Sequence, residues 1–109
     1  MALSRLAVKK IEQLKAAMPK DPIRDGVVSH AGVHRMEIAE VFRREGELEA
    51  AADWYLAAAE YSRDCGDVLG AVTYVKRGIM VCPSRNDLRA LYATLWDLTG
   101  IGGEPDPVG

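Results

Sequence analysis

The sequence predicts an all-α protein of antiparallel helical hairpins, about five helices in all, and three observations carry that reading. Apolar residues recur at steps of three and four through five segments, the period of one helix face. Glycine or proline closes each segment. The apolar share is 49% of 109 residues and leans on alanine, whereas aromatics make up 6%. That mixture suits close helix packing better than strands of β-branched residues. A charged fraction of 28% is ordinary for a folded chain, and the length fits one packed core.

In the first segment, residues 1–19, Leu3, Ala7, Ile11, Leu14 and Met18 line one face of an N-terminal amphipathic helix over 2–18. Pro19 and Pro22 stop it. Residues 20–29 read as a connector, with Asp25–Gly26 as a tight turn and Ser29 as the N-cap of the second helix. That helix, from about His30 to Glu45, shows Val33, Met36, Ile38, Ala39, Val41 and Phe42, and Gly46 ends it. The next, from about Glu47 to Asp64, carries Leu48, Ala51, Ala52, Tyr55, Leu56, Ala58 and Ala59 up to Gly66. A further stretch, about Asp67 to Cys82, carries Val68, Ala71, Val72, Val75 and Ile79 and closes at Pro83. Ser84 with Asp87 resembles a capping box opening a last helix with Leu88, Leu91, Tyr92, Leu95 and Trp96, which ends at Gly100. The tail 101–109 has almost nothing to bury and is expected to be flexible. Connections of one to three residues force neighbouring helices to pack antiparallel.

The stretch Ile38 to Ala59 is similar to the tetratricopeptide repeat (TPR). With Gly46 at the turn, Ala39 and Phe42 take the small and aromatic places of the first helix, and Leu48, Ala51, Tyr55 and Ala58 match the second. Setting Gly66 at the turn gives a weaker copy with Ala59, Val68, Ala71, Val75, Gly78 and Pro83, in which Ser62 replaces the aromatic. A half copy runs from Leu88 to Gly100 with Ala93 and Trp96. The two turn glycines stand 20 residues apart instead of the roughly 34 of a regular array. The resemblance implies a TPR-like right-handed superhelix over 30–100, with two irregular repeats and a half repeat.

The resemblance further implies a non-catalytic adaptor or scaffold that takes a peptide or a partner helix in a concave groove. By position that groove shows Val33, Met36, Glu40, Arg43 and Arg44, then Asp53, Leu56, Glu60 and Arg63, then Ala90, Thr94 and Asp97. Met36 and Glu40 stand where chaperone-binding relatives need Lys and Asn, which disfavours chaperone C-terminal tails. Glu40 and Arg44 have the spacing of an ordinary i,i+4 pair on a solvated face. An alternative use of the chain is self-association, as a homodimer, through the N-terminal helix or through a C-terminal face of Leu91, Leu95 and Leu98 left short of a following helix.

Charge and motifs narrow the function classes. A net charge of −2 lacks the basic surface that nucleic acid needs. The charge is uneven: residues 1–20 hold five basic residues against Glu12, or +4, so the remainder carries −6. No apolar run approaches the roughly 20 residues of a membrane span, and Arg5, Lys9 and Lys10 interrupt any signal-like stretch, so membrane association is not expected and a cytoplasmic address is. Cys65 and Cys82, placed about 25 Å apart on one helix, are expected as buried free thiols. His30 and His34 lack a third ligand, so no metal and no cofactor is expected. No phosphate-binding loop or nucleophile elbow is present, and catalytic residues are expected to be none.

Overall fold

The computed structural model describes residues 3–18, 31–105 and 107–108. Among them lie five α-helices and no strand: α1 Arg5–Ala17, α2 Val33–Arg44, α3 Leu48–Asp64, α4 Val68–Val81 and α5 Asn86–Thr99. Each falls inside the span its apolar period predicts. The connector 20–29, with the expected Ser29 cap, and His30 lie outside the described residues.

The hairpins α2–α3 and α3–α4 close through the same three-residue device. At the end of α2 the Gly46 N–H donates to the Arg43 carbonyl (3.0 Å) and the Glu47 N–H to the Phe42 carbonyl (2.9 Å). At the end of α3 Gly66 donates to Arg63 (2.9 Å) and Asp67 to Ser62 (2.8 Å). This is the paired pattern of the Schellman cap, which needs a left-handed residue at its centre. Gly46 and Gly66 supply it at φ 79° and 86°, a region a Cβ would strain. The residue after each glycine is already the N-cap of the next helix. Asp67 accepts there from the Gly70 N–H at 3.1 Å.

So short a link folds each helix back along its predecessor. Gly32, before α2, lies against Ala58 and Ser62 late in α3, and the Cys82 thiol, just after α4, donates to the Leu48 carbonyl at the start of α3 (3.5 Å). Helices two apart therefore run parallel and share a side. Arg77 near the end of α4 reaches Glu40 near the end of α2 (3.2 Å). Arg85, before α5, reaches Asp53 early in α3 (2.6 Å). The result is a slab of 45 × 34 × 15 Å.

Alanine and glycine let the helices approach. Ala39, Ala51, Ala52, Ala58, Ala59 and Ala71 are fully buried along the interfaces of α2, α3 and α4. At Gly78 an added Cβ would stand 3.0 Å from Leu88 Cδ2 and 3.2 Å from Tyr55 Cβ, so α4 is held against α3 and α5 by the absence of a side chain. The main core gathers Ala52, Ala58, Ala59, Ala71, Val75, Ile79, Leu88 and Leu95. Each large member contributes about 1.5–3 kcal/mol by its burial. A second cluster joins Ala7, Ile11 and Leu14 of α1 to Ile38 and Val41 of α2, with Leu3, Met18, Phe42 and Trp54 around them. Thus α1 extends the row of helices. Its start is tied down by Ser4, whose Oγ accepts from the Ala7 N–H (3.1 Å) and whose N–H donates to Glu45 Oε1 (2.7 Å).

Three expectations are corrected. The capping box at Ser84 does not form: α5 begins at Asn86 after Arg85, with no side-chain cap, because Asp87 turns its carboxylate to the Arg85 guanidinium (2.7 Å). Leu95 is completely buried, because its spacing from Leu88 and Tyr92 sets it on the face that packs against α4. Cys65 is half-buried at the end of α3, whereas Cys82 is buried; neither forms a disulfide. In the described part of the tail, Gly102 and Gly103 accept from the Trp96 indole N–H (3.3 and 3.2 Å) and Val108 packs against the core.

Candidate partner-binding face

The parallel run of α2 and α4 leaves an open face between them. Outward residues of α4, Leu69, Thr73, Arg77 and Met80, recur at steps of four, four and three and are all exposed. They face Val33, Met36, Glu40 and Arg43 of α2 across three clefts. The first, about 400 Å³, lies between Val33, Met36, Leu69, Thr73 and Tyr74. A second, about 310 Å³, has Tyr55 of α3 among its walls, with Glu40, Arg43, Met80 and Val81. The third, about 470 Å³, brings Lys10 of α1 beside Met36, Glu37 and Arg44. Arg77 lines all three. A fourth, about 230 Å³, continues along α1 through Leu6, Lys10 and Arg44. Among the described residues the three most exposed large apolar side chains, Leu6 at 80%, Leu69 at 69% and Met80 at 68%, all line these clefts.

Glu40 organises the centre of the face. Its Oε2 takes the Arg43 guanidinium at 2.7 Å and its Oε1 takes Arg77 at 3.2 Å, so one carboxylate braces α2 to α4. This replaces the expected Glu40–Arg44 pair: the i,i+3 neighbour and α4 occupy both oxygens, and Arg44 has no ion-pair partner among the described residues. Burial alone raises the Glu40 carboxyl, but the Tyr55 hydroxyl, the Arg43 hydrogen bond and the charges of Arg43 and Arg77 outweigh it and hold the group below the ordinary carboxylate range. Burial, and then the same carboxylate, pushes Tyr55 up to about 12. Arg77 also directs Nη1 at the Met36 sulfur (3.4 Å).

Of the residues expected in the groove, the structure brings together Val33, Met36, Glu40, Arg43 and Arg44. Leu56, Glu60, Arg63, Thr94 and Asp97 line none of these clefts. Leu56 packs on the main core, Arg63 pairs with Asp64 (3.1 Å), and Thr94 donates to the Ala90 carbonyl (3.2 Å). Asp53 is held by Arg85. Sequence reasoning missed Lys10, Leu69, Thr73, Arg77 and Met80. Their signal was present: the α4 residues form the exposed stripe opposite the buried one, and the 20-residue glycine spacing already made α4 the partner of α2. His34 is half-buried, with its Nδ1 unpartnered among the described residues.

The opposite edge is closed. The Arg85 guanidinium donates to Asp53 (2.6 Å), to Glu49 (3.3 Å) and to both oxygens of Asp87 (3.1 and 2.7 Å). Hydrogen bonds to Asp87 and Asp53 raise the Arg85 guanidinium, and Arg85 in turn lowers the Asp87 carboxyl. Among the described residues no group of three or more His, Cys, Asp or Glu side chains could hold a metal ion, and no helix is long and apolar enough to cross a membrane. No family model, curated protein or solved structure matches the chain.

Proposed function

We propose that this chain is a non-catalytic protein-interaction module, an adaptor or scaffold of TPR-like build, that holds a peptide or partner helix along the open face of α2 and α4. The observation that carries the reading is that face itself: two parallel helices flank clefts that meet at Arg77, with exposed Leu69 and Met80 on one wall. The complete burial of Ala39, Ala51, Ala58 and Ala71, at the small places of the repeat pattern, supports the family resemblance and with it a right-handed superhelical stack. The cytoplasm is its proposed address.

A photo-crosslinking residue at Met80 tests the reading against the same residue at Thr94, which is exposed on α5 and lines none of the clefts. One discrete adduct from Met80 and none from Thr94, in extract of the source cell, is the expected result. Equal labelling at both positions sinks the idea.

Self-association is a second reading, in which Ile101 takes the place of Leu95 beside Leu98. Leu98 is 56% exposed and Ile101 65%, whereas buried Leu95 cannot contribute. Light scattering of the wild type and of Leu98→Glu with Ile101→Glu decides it, a dimer that the double variant splits being the expected outcome.

A further inference from the structure

The outer side of α5 ends the row of helices, and its exposed residues form two lines along the axis in steps of four. One line is Arg89, Ala93 and Asp97; the other is Ala90, Thr94 and Leu98, with Ile101 just beyond it. Arg89 and Asp97 are the only charged residues between Leu88 and Ile101, and neither has an ion-pair partner among the described residues. Arg89 turns its Nε to the Pro83 carbonyl (2.7 Å), which steadies the guanidinium without neutralising it. The face is therefore neutral, with a cation towards one end, a carboxylate towards the other and small side chains between them. That balance suits neither an acidic nor a basic partner.

It does suit a copy of itself. Turned end for end about Ala93 and Thr94, a second α5 sets its Asp97 opposite Arg89 and its Arg89 opposite Asp97, because both stand four residues from Ala93. In the other line the same rotation sets large Leu98 opposite the small Ala90 of the second copy, both four residues from Thr94. Charge and size are thus complementary in one two-fold arrangement, and alanine at the crossing lets the two backbones approach as the buried alanines do within the chain. We infer that α5 pairs antiparallel with α5 of a second copy, Arg89 against Asp97 and Leu98 over Ala90, across a two-fold axis near Ala93. The inference rests on the self-association reading above and adds its contact surface and register. One helix of 14 residues offers a face only about 20 Å long, so the dimer is weak and forms in concentrated solution. A dilute bait in cell extract stays monomeric, and Thr94 stays unlabelled there.

Sedimentation equilibrium of the full-length chain, from micromolar to millimolar concentration, tests the pairing. A reversible monomer–dimer equilibrium is expected. Arg89→Asp alone and Asp97→Arg alone each set two pairs of like charges face to face, and each should weaken the dimer about tenfold or more. The double variant only exchanges the two charges and should recover most of that loss. Dilute thermal melts check that the variants fold, and Arg89→Gln with Asp97→Asn, with a smaller loss, replaces a reversal that does not. Failure of the double variant to recover, or a dimer indifferent to the charge changes but split by Leu98→Glu with Ile101→Glu, overturns the register and leaves self-association standing. A species larger than a dimer also overturns it, since a two-fold contact closes on itself. A dimer indifferent to every variant, or a chain monomeric at all concentrations, overturns both and leaves the face to a different partner.

Discussion

The two edges of the slab are built from the same kind of helix pair and treat charge in opposite ways. Where α3 and α5 run parallel, Arg85 is saturated by three carboxylates and its side chain is 19% exposed. Where α2 and α4 run parallel, one carboxylate serves two arginines, and Leu69 and Met80 stand in solvent. Ion pairing inside one chain fixes geometry but removes the groups from use. The closed edge is thus suited to holding α5 in place, and the open face retains the surface a partner needs.

Disruption of the core beneath both edges has the largest expected effect. Leu95→Ala should cost about 2–5 kcal/mol, read as a large fall in the urea midpoint. Splitting of a dimer at unchanged stability would return Leu95 to a surface role. Gly32→Ala comes next, because its Cβ would meet Ser62 Oγ and lie 2.7 Å from both the Ala58 carbonyl oxygen and Tyr74 Cε2. A loss of about 1–3 kcal/mol is expected from that overpacking; a neutral result in the thermal melt would mean that the start of α2 is not pressed against α3.

Arg85→Ala should cost about 1 kcal/mol, discounted because its partners are largely exposed. For a chain of this size that lowers Tm by about 4–8 °C. The same loss from Arg77→Ala would erase the contrast between the edges. Smallest is the pH response of Glu40. Its carboxyl is lowered on folding, so its stabilising contribution is present above the unfolded value and is lost as the pH falls through the folded one. Glu40→Gln should flatten the decline of Tm between about pH 5 and pH 3, and an unchanged slope would mean that the carboxylate does not brace α2 to α4.

Local signals are legible in the sequence because one or two residues carry each of them. Gly46, Gly66 and Gly100 all take positive φ and end helices as the sequence predicts, since few other residues accept that conformation. The apolar faces also follow the 3.6 period, as at Ala7, Ile11 and Leu14. The site is only half legible. Glu40 has acceptable partners at both i+3 and i+4, and sequence cannot say that Arg77 of another helix completes the choice. Likewise Ser84 is a sound cap until Arg85 claims the Asp87 carboxylate. Leu95 reads as available when only the lack of a helix after α5 is weighed, whereas α4 already buries that face.

The repeated three-residue turn has a kinetic and mechanical consequence. Each helix packs chiefly on its neighbours in sequence, so most stabilising contacts are local and chain closure is inexpensive in entropy. Such a row opens from its ends: amides of α1 and α5 exchange first, and those of α3, flanked on both sides, exchange last. A ligand spanning α1, α2 and α4 would fasten the looser end of that row, and slowed exchange in α1 would register its arrival.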